Sequence, residues 1–202
     1  MYSEPLIVSV LKRFLAWSSR WKFVRYTSIQ IYLILVMLFN FLLHLLPFIL
    51  WKRFVAFMFG VRLGKRVSLC KGVRFLALGK CEIGDRTVVN RNCLLDNRGS
   101  ISIANDVSIA TGTSIFTEGH DINDTNFISV RSQVCIQSHV CIFSNVSIMP
   151  GVELGFGSVV YPNSVVTNSV LERDIIAGTP GKVIGKRSLI PDYSLDSDYW
   201  FN

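Results

Sequence analysis

Apolar residues recur along this chain at intervals of six. Fifteen positions form five triplets, and fourteen of the fifteen are Leu, Ile or Val. The positions are Leu63, Leu69, Phe75, Ile83, Val89, Leu95, Ile103, Ile109, Ile115, Ile136, Ile142, Ile148, Leu154, Val160 and Val166. Helices repeat near 3.6 residues and strands at 2, so a step of six indicates a short strand followed by a corner. Three such units would complete one triangular turn of an all-β solenoid.

Small residues usually occupy the position four after each apolar marker. They are Val67, Val73, Thr87, Cys93, Val107, Thr113, Val140, Val146, Val152, Ser158 and Ser164. The residue directly after the marker is often Gly, Asn or Asp, as at Gly64, Gly84 and Asn90, and such residues tolerate the positive φ of tight corners. We therefore expect the markers and small residues to fill a narrow prism, with the corner starting directly after the marker.

The breaks in this spacing predict where the solenoid is modified. Two extra residues separate Phe75 from Ile83 and Leu95 from Ile103, which indicates bulges or longer corners. The largest break lies between Ile115 and Ile136. Because repeat proteins place insertions in loops, often on the binding face, we expect an inserted loop at about 117–134.

An apolar segment precedes the repeats. Residues 28–50 contain no formally charged side chain, and about 20 helical residues cross a bilayer core. Gln30, Asn40, His44 and Pro47 interrupt the segment, and we interpret His44 as a polar helix residue rather than a ligand. Basic residues flank both sides: Lys12, Arg13, Arg20, Lys22 and Arg25 before it, Lys52 and Arg53 after it. Two basic flanks favour a hairpin or an in-plane helix over a simple span, and packing on the repeats or on a neighbouring subunit is the alternative.

These patterns divide the 202 residues into an apolar, basic-flanked helical arm (1–62), a repeat domain (63–187) and a C-terminal tail (188–202). Half of the residues are hydrophobic, 17% are charged and the net charge is +7. Many basic residues lie in the first 66 positions, beside the apolar segment, which favours contact with a membrane surface. No arginine-rich run or stacking-aromatic motif supports nucleic-acid binding. A cleaved signal peptide is disfavoured because the apolar run starts late and no small-residue cleavage site follows it.

The cysteine pattern favours neither disulfides nor a metal site. The five cysteines are Cys70, Cys81, Cys93, Cys135 and Cys141. Their number is odd and no CxxC spacing occurs, so we interpret them as small buried hydrophobic residues in a reducing compartment. A zinc site is disfavoured on the same spacing.

Three passages carry a resemblance to a known family. They are residues 117–121 (TEGHD), residues 148–155 (IMPGVELG) and residues 178–184 (GTPGKVI). With them, residues 63–187 resemble the hexapeptide-repeat acyltransferases, whose fold is a left-handed parallel β-helix; the handedness is implied by the resemblance alone. Residues 95–99 (LDNRG), taken with residues 120–121, look most similar to acetyltransferases that modify bacterial surface polysaccharides.

The resemblance implies direct acetyl transfer from acetyl-CoA to a hydroxyl, without a metal. An alcohol needs a general base, and His120 occupies the position of the family's catalytic histidine. His139 is expected to be an exposed corner residue. A covalent cysteine intermediate is the weaker alternative, since Cys141 alone lies near a histidine in sequence, two residues from His139.

The resemblance also implies residues for the acceptor. It places an acceptor-binding asparagine at about Asn90, with Asn92 in the same corner. The alternative is a left-handed corner asparagine without a ligand. Asp121 and Asp124 would orient His120 or bind the acceptor, and capping of the loop's own turn is the alternative.

For the coenzyme, the resemblance implies a groove between neighbouring subunits. Ser144, Gly178 and Gly181 would line it, with Lys182 and Arg187 near the phosphates unless these two are ordinary surface charges. Because the family is typically trimeric, a homotrimer is expected. The family often has Trp-Ile-Gly in the coil after the loop where this chain has Cys141-Ile142-Phe143, so the wall of the pocket and the choice of acyl group are open.

The resemblance, together with the apolar arm, thus implies an acetyl-CoA-dependent O-acetyltransferase acting on a sugar hydroxyl of a surface polysaccharide or its lipid-linked precursor. It would lie at the cytoplasmic face of the inner membrane or in the cytoplasm. The alternatives are a small-molecule acetyltransferase for serine, a free sugar or an amino-sugar nucleotide, and a non-catalytic scaffold. A zinc hydratase on the same fold is disfavoured, because it uses three shared histidines and only His120 and His139 lie in the repeats.

Overall fold

Within residues 22–60 two helices precede a parallel β-solenoid in the computed structural model, which describes residues 9–10, 13 and 22–195. Helix α1 is Lys22–Leu45 and helix α2 is Ile49–Met58. Pro47 lies between them, where its missing N–H and fixed φ interrupt the helix. The first strand of the solenoid begins at Val61.

The solenoid has three sheets, one for each face of a triangular prism. The first sheet contains β1 (Val61–Leu63), β4 (Cys81–Ile83), β7 (Ile101–Ile103), β12 (Val134–Ile136) and β15 (Glu153–Leu154). The second contains β2 (Ser68–Leu69), β5 (Val88–Val89), β8 (Ser108–Ile109), β13 (Cys141–Ile142), β16 (Val159–Val160), β18 (Asp174–Ala177) and β19 (Lys182–Lys186). The third contains β3 (Arg74–Phe75), β6 (Leu94–Leu95), β9 (Ser114–Ile115), β14 (Ser147–Ile148) and β17 (Val165–Val166). Strand β19 is antiparallel to β18, and the other pairs within these sheets are parallel.

The register confirms the predicted architecture. Val61 pairs with Cys81 and Cys81 with Ile101, so one coil takes 20 residues at these steps. Fourteen of the fifteen apolar markers are buried, and Leu63 is half-buried against the same core. All eleven small residues predicted to face inward are buried as well. The six-residue step therefore reports one strand and one corner of a prism.

The corners differ from the prediction in one detail. The left-handed residue stands three positions after the marker, as at Arg66, Asn92 and His139, with φ between 55° and 60°. Gly64 and Gly84, directly after their markers, do not have positive φ. A Cβ on Gly84 would lie 2.4 Å from Asn105 Oδ1, so glycine is needed there because adjacent coils approach closely.

We name the three edges of the prism by what they carry. The hairpin edge joins the third sheet to the first and includes residues 76–80, 96–100 and 116–133. The asparagine edge joins the second sheet to the third and includes residues 90–93 and 143–146. The tail edge joins the first sheet to the second and includes residues 104–107, 137–140 and 155–158.

The two-residue breaks are longer corners at the hairpin edge. Asn97 is buried there and links two coils: its amide donates to Ala77 O (2.9 Å) and Gly79 O (2.5 Å), and its Oδ1 accepts from Ala77 N (2.9 Å). A buried amide with these partners satisfies the backbone of the longer corner, which lacks a strand ladder.

The arm packs on the first coil. Phe39 and Leu43 of α1 are fully buried, and the Phe39 ring lies 5.3 Å from Phe75 and 5.1 Å from Phe59, centroid to centroid. His44 Nε2 lies 2.8 Å from Val73 O, so it is a polar helix residue bound to backbone, as interpreted from the sequence. We call α1 and α2 together the N-terminal cap, because they cover the open end of the prism.

The tail returns along the tail edge. Pro191 is buried and packs on Gly157, where a Cβ would lie 2.9 Å from the proline ring. The Tyr193 hydroxyl donates to His139 O (3.2 Å), and Leu195 N donates to Asp106 Oδ1 (3.0 Å). The rest of the predicted tail, 196–202, lies outside the described residues, as do most of residues 1–21.

Candidate functional site

His120 stands on a β-hairpin that replaces the predicted loop. Strand β10 (Glu118–His120) pairs antiparallel with β11 (Ser129–Arg131), and His120 is opposite Ser129. The hairpin leaves the solenoid at the hairpin edge of the third coil, between Ile115 and Val134. The largest break in the six-residue spacing therefore carries the candidate base away from the prism.

The passage at 95–99 forms the platform under this hairpin. The buried Thr117 hydroxyl donates to Asp96 O (2.5 Å) and accepts from Gly99 N (2.7 Å). A Cβ on Gly99 would lie 2.5 Å from Thr117 O, so a larger residue would push the hairpin away from the second coil. The passage that carried the narrower family resemblance thus has a structural role beneath His120.

Four charged side chains extend the platform. Arg98 Nε lies 2.7 Å from Asp96 Oδ1 and 3.2 Å from Glu118 Oε2, and Arg131 Nε lies 2.9 Å from the same Glu118 oxygen. Ser129 also donates to Glu118. The network ties β10 to β11 and both strands to the second coil. We call these four residues, Asp96, Arg98, Glu118 and Arg131, the charged platform.

The pKa values of both carboxyls reflect this network. Burial alone would raise the pKa of Asp96, whose side chain is fully buried, but hydrogen bonds and charge from Arg98 outweigh burial and lower it. Burial also opposes ionisation of Glu118, and Ser129, Arg131 and Arg98 together lower its pKa. Both groups are therefore carboxylates at neutral pH and remain paired with the arginines.

The His120 ring is exposed and stacks on Phe127. The centroids are 4.4 Å apart and the planes differ by 2°. Within residues 22–195 no hydrogen bond holds the imidazole, and the stack on Phe127 restrains one face of the exposed ring. An accessible imidazole that is held at one face is suited to proton transfer.

Asp121 and Asp124 cap the turn at the end of the hairpin. Asp121 Oδ1 accepts from Asn123 N (2.9 Å), and Asp124 Oδ1 accepts from Asn126 N (2.7 Å). These bonds correspond to the capping alternative. They do not direct either carboxylate at His120, and a role of Asp121 towards an acceptor stays a prediction.

Asn90 and Asn92 lie on the asparagine edge and differ in backbone conformation. Asn92 has φ 58°, whereas Asn90 does not have positive φ and donates from Nδ2 to Ile109 O (3.1 Å). The left-handed corner interpretation therefore applies to Asn92 and not to Asn90. The sheet register places Phe143 in the same column as Asn90, and the Phe143 ring is 5.8 Å from the Tyr161 ring.

Three predicted coenzyme residues also line the asparagine edge. Ser144 O accepts from Asn163 N (3.0 Å), while Gly178 N donates to Ser164 Oγ (3.1 Å). Gly181 N donates to Val165 O (2.7 Å), and a Cβ on Gly181 would lie 2.9 Å from Ile176 Cγ2. Close packing alone explains Gly181, and its coenzyme role stays a prediction.

The structure separates Lys182 from Arg187. Strand β19 runs between them across the second sheet, so Lys182 lies at the asparagine edge and Arg187 at the tail edge. Arg187 N donates to Arg173 O (2.7 Å), and its guanidinium lies 5.5 Å from the Tyr193 ring centroid. A joint phosphate site for both side chains is thus not formed within one copy.

His139 is half-buried rather than exposed as predicted. It is a corner residue, but its ring packs edge-on against Phe156 and Tyr193, at 5.3 and 5.1 Å between centroids. The returning tail covers it, which spacing alone does not reveal. Burial raises the pKa of the nearby Cys141 thiol and Arg187 opposes this only in part, so Cys141 lacks the lowered pKa of an activated nucleophile.

All five cysteines are free thiols, with Cys81 and Cys93 buried and the others half-buried. Among the described residues, no group of three or more His, Cys, Asp or Glu side chains is placed to hold a metal ion. His120 and His139 stand at different edges of the prism, which separates them within one copy.

Sequence reasoning did not identify Arg98, Glu118, Phe127 and Arg131 as site-forming residues. Arg98 and Glu118 are 20 residues apart, the length of one coil, and this spacing was the available signal. Phe127 lies in a loop without periodicity, so no pattern places its ring against His120.

The fold is shared with several solved acetyltransferases. A hexapeptide-repeat acetyltransferase from Vibrio cholerae, solved with acetyl coenzyme A, is 22% identical, with a TM-score of 0.73 over 81% of this chain and 90% of that chain. A maltose O-acetyltransferase from Clostridium difficile is 23% identical, with a TM-score of 0.69 over 88% of each chain. A galactoside acetyltransferase in complex with coenzyme A is 23% identical, with a TM-score of 0.67 over 80% of this chain and 86% of that chain.

These likenesses confirm the predicted fold: the chain has the parallel β-helix of hexapeptide-repeat acetyltransferases. No protein-family model matches the chain, and no curated protein matches it.

Proposed function

We propose that the protein is an acetyl-CoA-dependent O-acetyltransferase that acts on a sugar hydroxyl of a surface polysaccharide or its lipid-linked precursor. The observation that carries this proposal is the position of His120, exposed on a hairpin that the charged platform anchors. Support comes from the shared fold, since solved proteins with this fold hold acetyl-CoA or coenzyme A.

In the proposed reaction His120 acts as general base. Its imidazole takes the proton of the acceptor hydroxyl while the hydroxyl oxygen attacks the thioester carbonyl carbon. The tetrahedral oxyanion accepts a hydrogen bond from a backbone N–H and then collapses, breaking the carbon–sulfur bond. The imidazolium returns the proton to the departing thiolate, so the products are the acetyl ester and the free thiol. Phe127 limits rotation of the ring during both proton transfers.

The separation of the predicted site residues supports an oligomer. His120 leaves from the hairpin edge, whereas Asn90, Ser144 and Lys182 line the asparagine edge of the same copy. A site that uses both sets is completed by the hairpin edge of one copy facing the asparagine edge of the next. We therefore propose a homotrimer with three such sites, in which each subunit supplies both halves.

Subunit mixing tests this arrangement. Trimers reassembled from equal amounts of His120→Ala and Asn90→Ala chains should recover about a quarter of the wild-type activity, because that fraction of shared sites is intact. Each variant alone should be nearly inactive. No recovery in mixed trimers, or a monomer by light scattering, would contradict a shared site.

The proposed class of acceptor is inferred from the N-terminal cap. The outer face of the N-terminal cap is apolar, and such a surface favours an acceptor held at a membrane over a freely soluble one. The alternative is a small-molecule acceptor, and two structural neighbours carry the names of maltose and galactoside acetyltransferases. Full turnover on soluble sugars or serine, with no transfer to polymer, would favour that alternative.

Mass spectrometry of surface glycans from cells with and without the protein tests the reaction and the acceptor together. Loss of an acetyl increment at one sugar, restored by wild type and not by His120→Gln, is the expected result. Glycans that are identical with and without the protein would contradict a polysaccharide acceptor. Purified protein that turns over no acceptor, with no change on His120 substitution, would favour the non-catalytic scaffold.

A further inference from the structure

The N-terminal cap directs several polar side chains towards the first coil and leaves large apolar side chains exposed on its outer face. Helix α1 contains Val24–Leu45, which is long and apolar enough by length and composition to cross a membrane. Whether it does so depends on what its polar residues bind.

Four polar side chains of the cap bind the backbone of the first coil. Asn40 Nδ2 donates to Phe75 O (2.9 Å) and Asn40 Oδ1 accepts from Phe75 N (2.9 Å). His44 Nε2 lies 2.8 Å from Val73 O, as described above. Two further bonds are Leu78 N to the Tyr32 hydroxyl (3.1 Å) and Lys52 Nζ to Leu69 O (2.6 Å).

These bonds oppose a membrane-spanning α1. If α1 crossed a bilayer, Tyr32, Asn40 and His44 would leave the solenoid and enter hydrocarbon, where their polar groups lack partners. At the same time, backbone groups at the open end of the first coil would lose their hydrogen-bond partners. Asn40 and His44, two of the polar residues that interrupt the apolar segment, are therefore contacts with the solenoid, which favours α1 on its surface.

The opposite face of α1 is apolar and exposed. Ile34, Met37 and Phe41 are 62%, 71% and 63% exposed, and their spacing of three and four residues places them in one stripe. Leu45 continues the stripe, and Phe57 of α2 is also exposed. A terminal cap of a soluble solenoid presents a polar outer face, so this one is suited to an apolar partner.

The basic charge in and around the N-terminal cap favours an anionic partner. Residues 5–81 contain thirteen Lys and Arg residues and no Asp or Glu. Lys65 and Lys71 are exposed at two edges of the first coil, which the cap covers, whereas Lys80 Nζ donates to Arg98 O of the second coil (3.1 Å). A second copy docked through the same segment would bring like charges together, whereas an anionic lipid surface would neutralise them.

We propose that the N-terminal cap lies in the plane of an anionic bilayer, with the stripe of Ile34, Met37 and Phe41 among the acyl chains and with Lys65 and Lys71 of the first coil at the headgroups. Helix α1 does not cross the bilayer. The anionic cytoplasmic leaflet of the inner membrane is the surface that fits this chemistry. The inference is independent of the proposed reaction, because its tests measure binding and stability rather than turnover.

Vesicle flotation of the full chain tests the proposal. The protein should float with vesicles of phosphatidylcholine and phosphatidylglycerol, and much less with phosphatidylcholine alone. Met37→Glu/Phe41→Glu should abolish flotation without changing circular dichroism, since both side chains point away from the solenoid. The matched control is Leu171→Glu/Leu189→Glu, which places the same charges on exposed apolar residues far from the cap and should float like wild type.

Three outcomes would overturn the proposal. They are unchanged flotation of Met37→Glu/Phe41→Glu, equal flotation with neutral vesicles, and a smaller oligomer of that variant by light scattering with no lipid binding in wild type. The last would show that the stripe joins subunits instead.

Asn40→Leu separates an in-plane cap from a span. For an in-plane cap, the change lowers the melting temperature of the solenoid and does not strengthen vesicle binding. For a spanning helix, removing a polar group from hydrocarbon would strengthen insertion and leave the melting temperature unchanged.

Discussion

His120 and His139 lie on two edges of one prism, and their surroundings are opposite. His120 stands where the chain departs furthest from the six-residue spacing, and its ring is exposed against Phe127. His139 stands where the spacing is regular, in a left-handed corner, and Tyr193 of the tail covers it. The comparison shows that an insertion, rather than the residue type, determines which of these two histidines is exposed to solvent.

The largest expected effect is on turnover when His120 is replaced. His120→Ala should lower kcat by about 10²–10⁴-fold with the fold intact, as for loss of a general base. The matched control is His139→Asn, because asparagine tolerates the left-handed corner, and it should retain activity. Steady-state kinetics with circular dichroism would check both variants. Equal losses of kcat in the two variants would show that the histidines at the two edges do not differ in their role.

Next in size is the loss of the charged platform. Arg98→Ala leaves Asp96 buried without its cation and releases Glu118 from the second coil, so we expect a loss of about 2 kcal/mol in stability. Turnover should fall by about tenfold through displacement of the hairpin. Chemical denaturation and kinetics would measure these changes.

The control for this variant is Arg62→Ala, which removes an exposed ion pair with Glu82 in another part of the solenoid. An exposed pair contributes about 0–1 kcal/mol, so this change should be nearly silent. If Arg62→Ala and Arg98→Ala behaved alike, the platform would have no special role under His120.

The platform also predicts a pH dependence of stability. Because the folded pKa values of Asp96 and Glu118 lie below their usual 3.8 and 4.5, their contribution is present above these values and is lost as the pH falls through the folded values. Melting temperatures at pH 6 and at about pH 3 should therefore differ more in wild type than in Arg98→Ala. An equal difference in both proteins would argue against the platform as its source.

The smallest expected effect is at the tail edge. Tyr193→Phe removes the hydroxyl bond to His139 O and should cost about 1 kcal/mol without altering kcat. Denaturation and kinetics on the same preparation would check it. A fall in kcat would connect the tail to the reaction and weaken the contrast between the two edges.

The sequence predicted the solenoid because each six-residue period of apolar side chains corresponds to one strand and one corner. It also placed His120 on an insertion, since an insertion interrupts the period. It did not place the left-handed residue, because positions such as Arg66 and Arg86 have no residue type typical of positive φ, and the stacked coils impose the conformation.

The contacts of the charged platform and of the N-terminal cap could not be predicted from the sequence, for a different reason. Arg98 meets Glu118 only through coil register, and Asn40 meets Phe75 only after a helix folds back across 35 residues. In the sequence, Asn40 is simply a polar residue in an apolar segment. Its structural role depends on the backbone of Phe75, which is distant in the chain.

The bonds of Asn40 have a consequence for self-association. Its side-chain amide offers Phe75 one donor and one acceptor, the pair that the peptide group of an adjacent strand would offer. Uncapped, the first coil would present a row of free backbone groups that another solenoid, or an unfolded chain, could extend into a fibre. The N-terminal cap therefore ends strand pairing at this coil, and chains that lack it should aggregate through end-to-end growth.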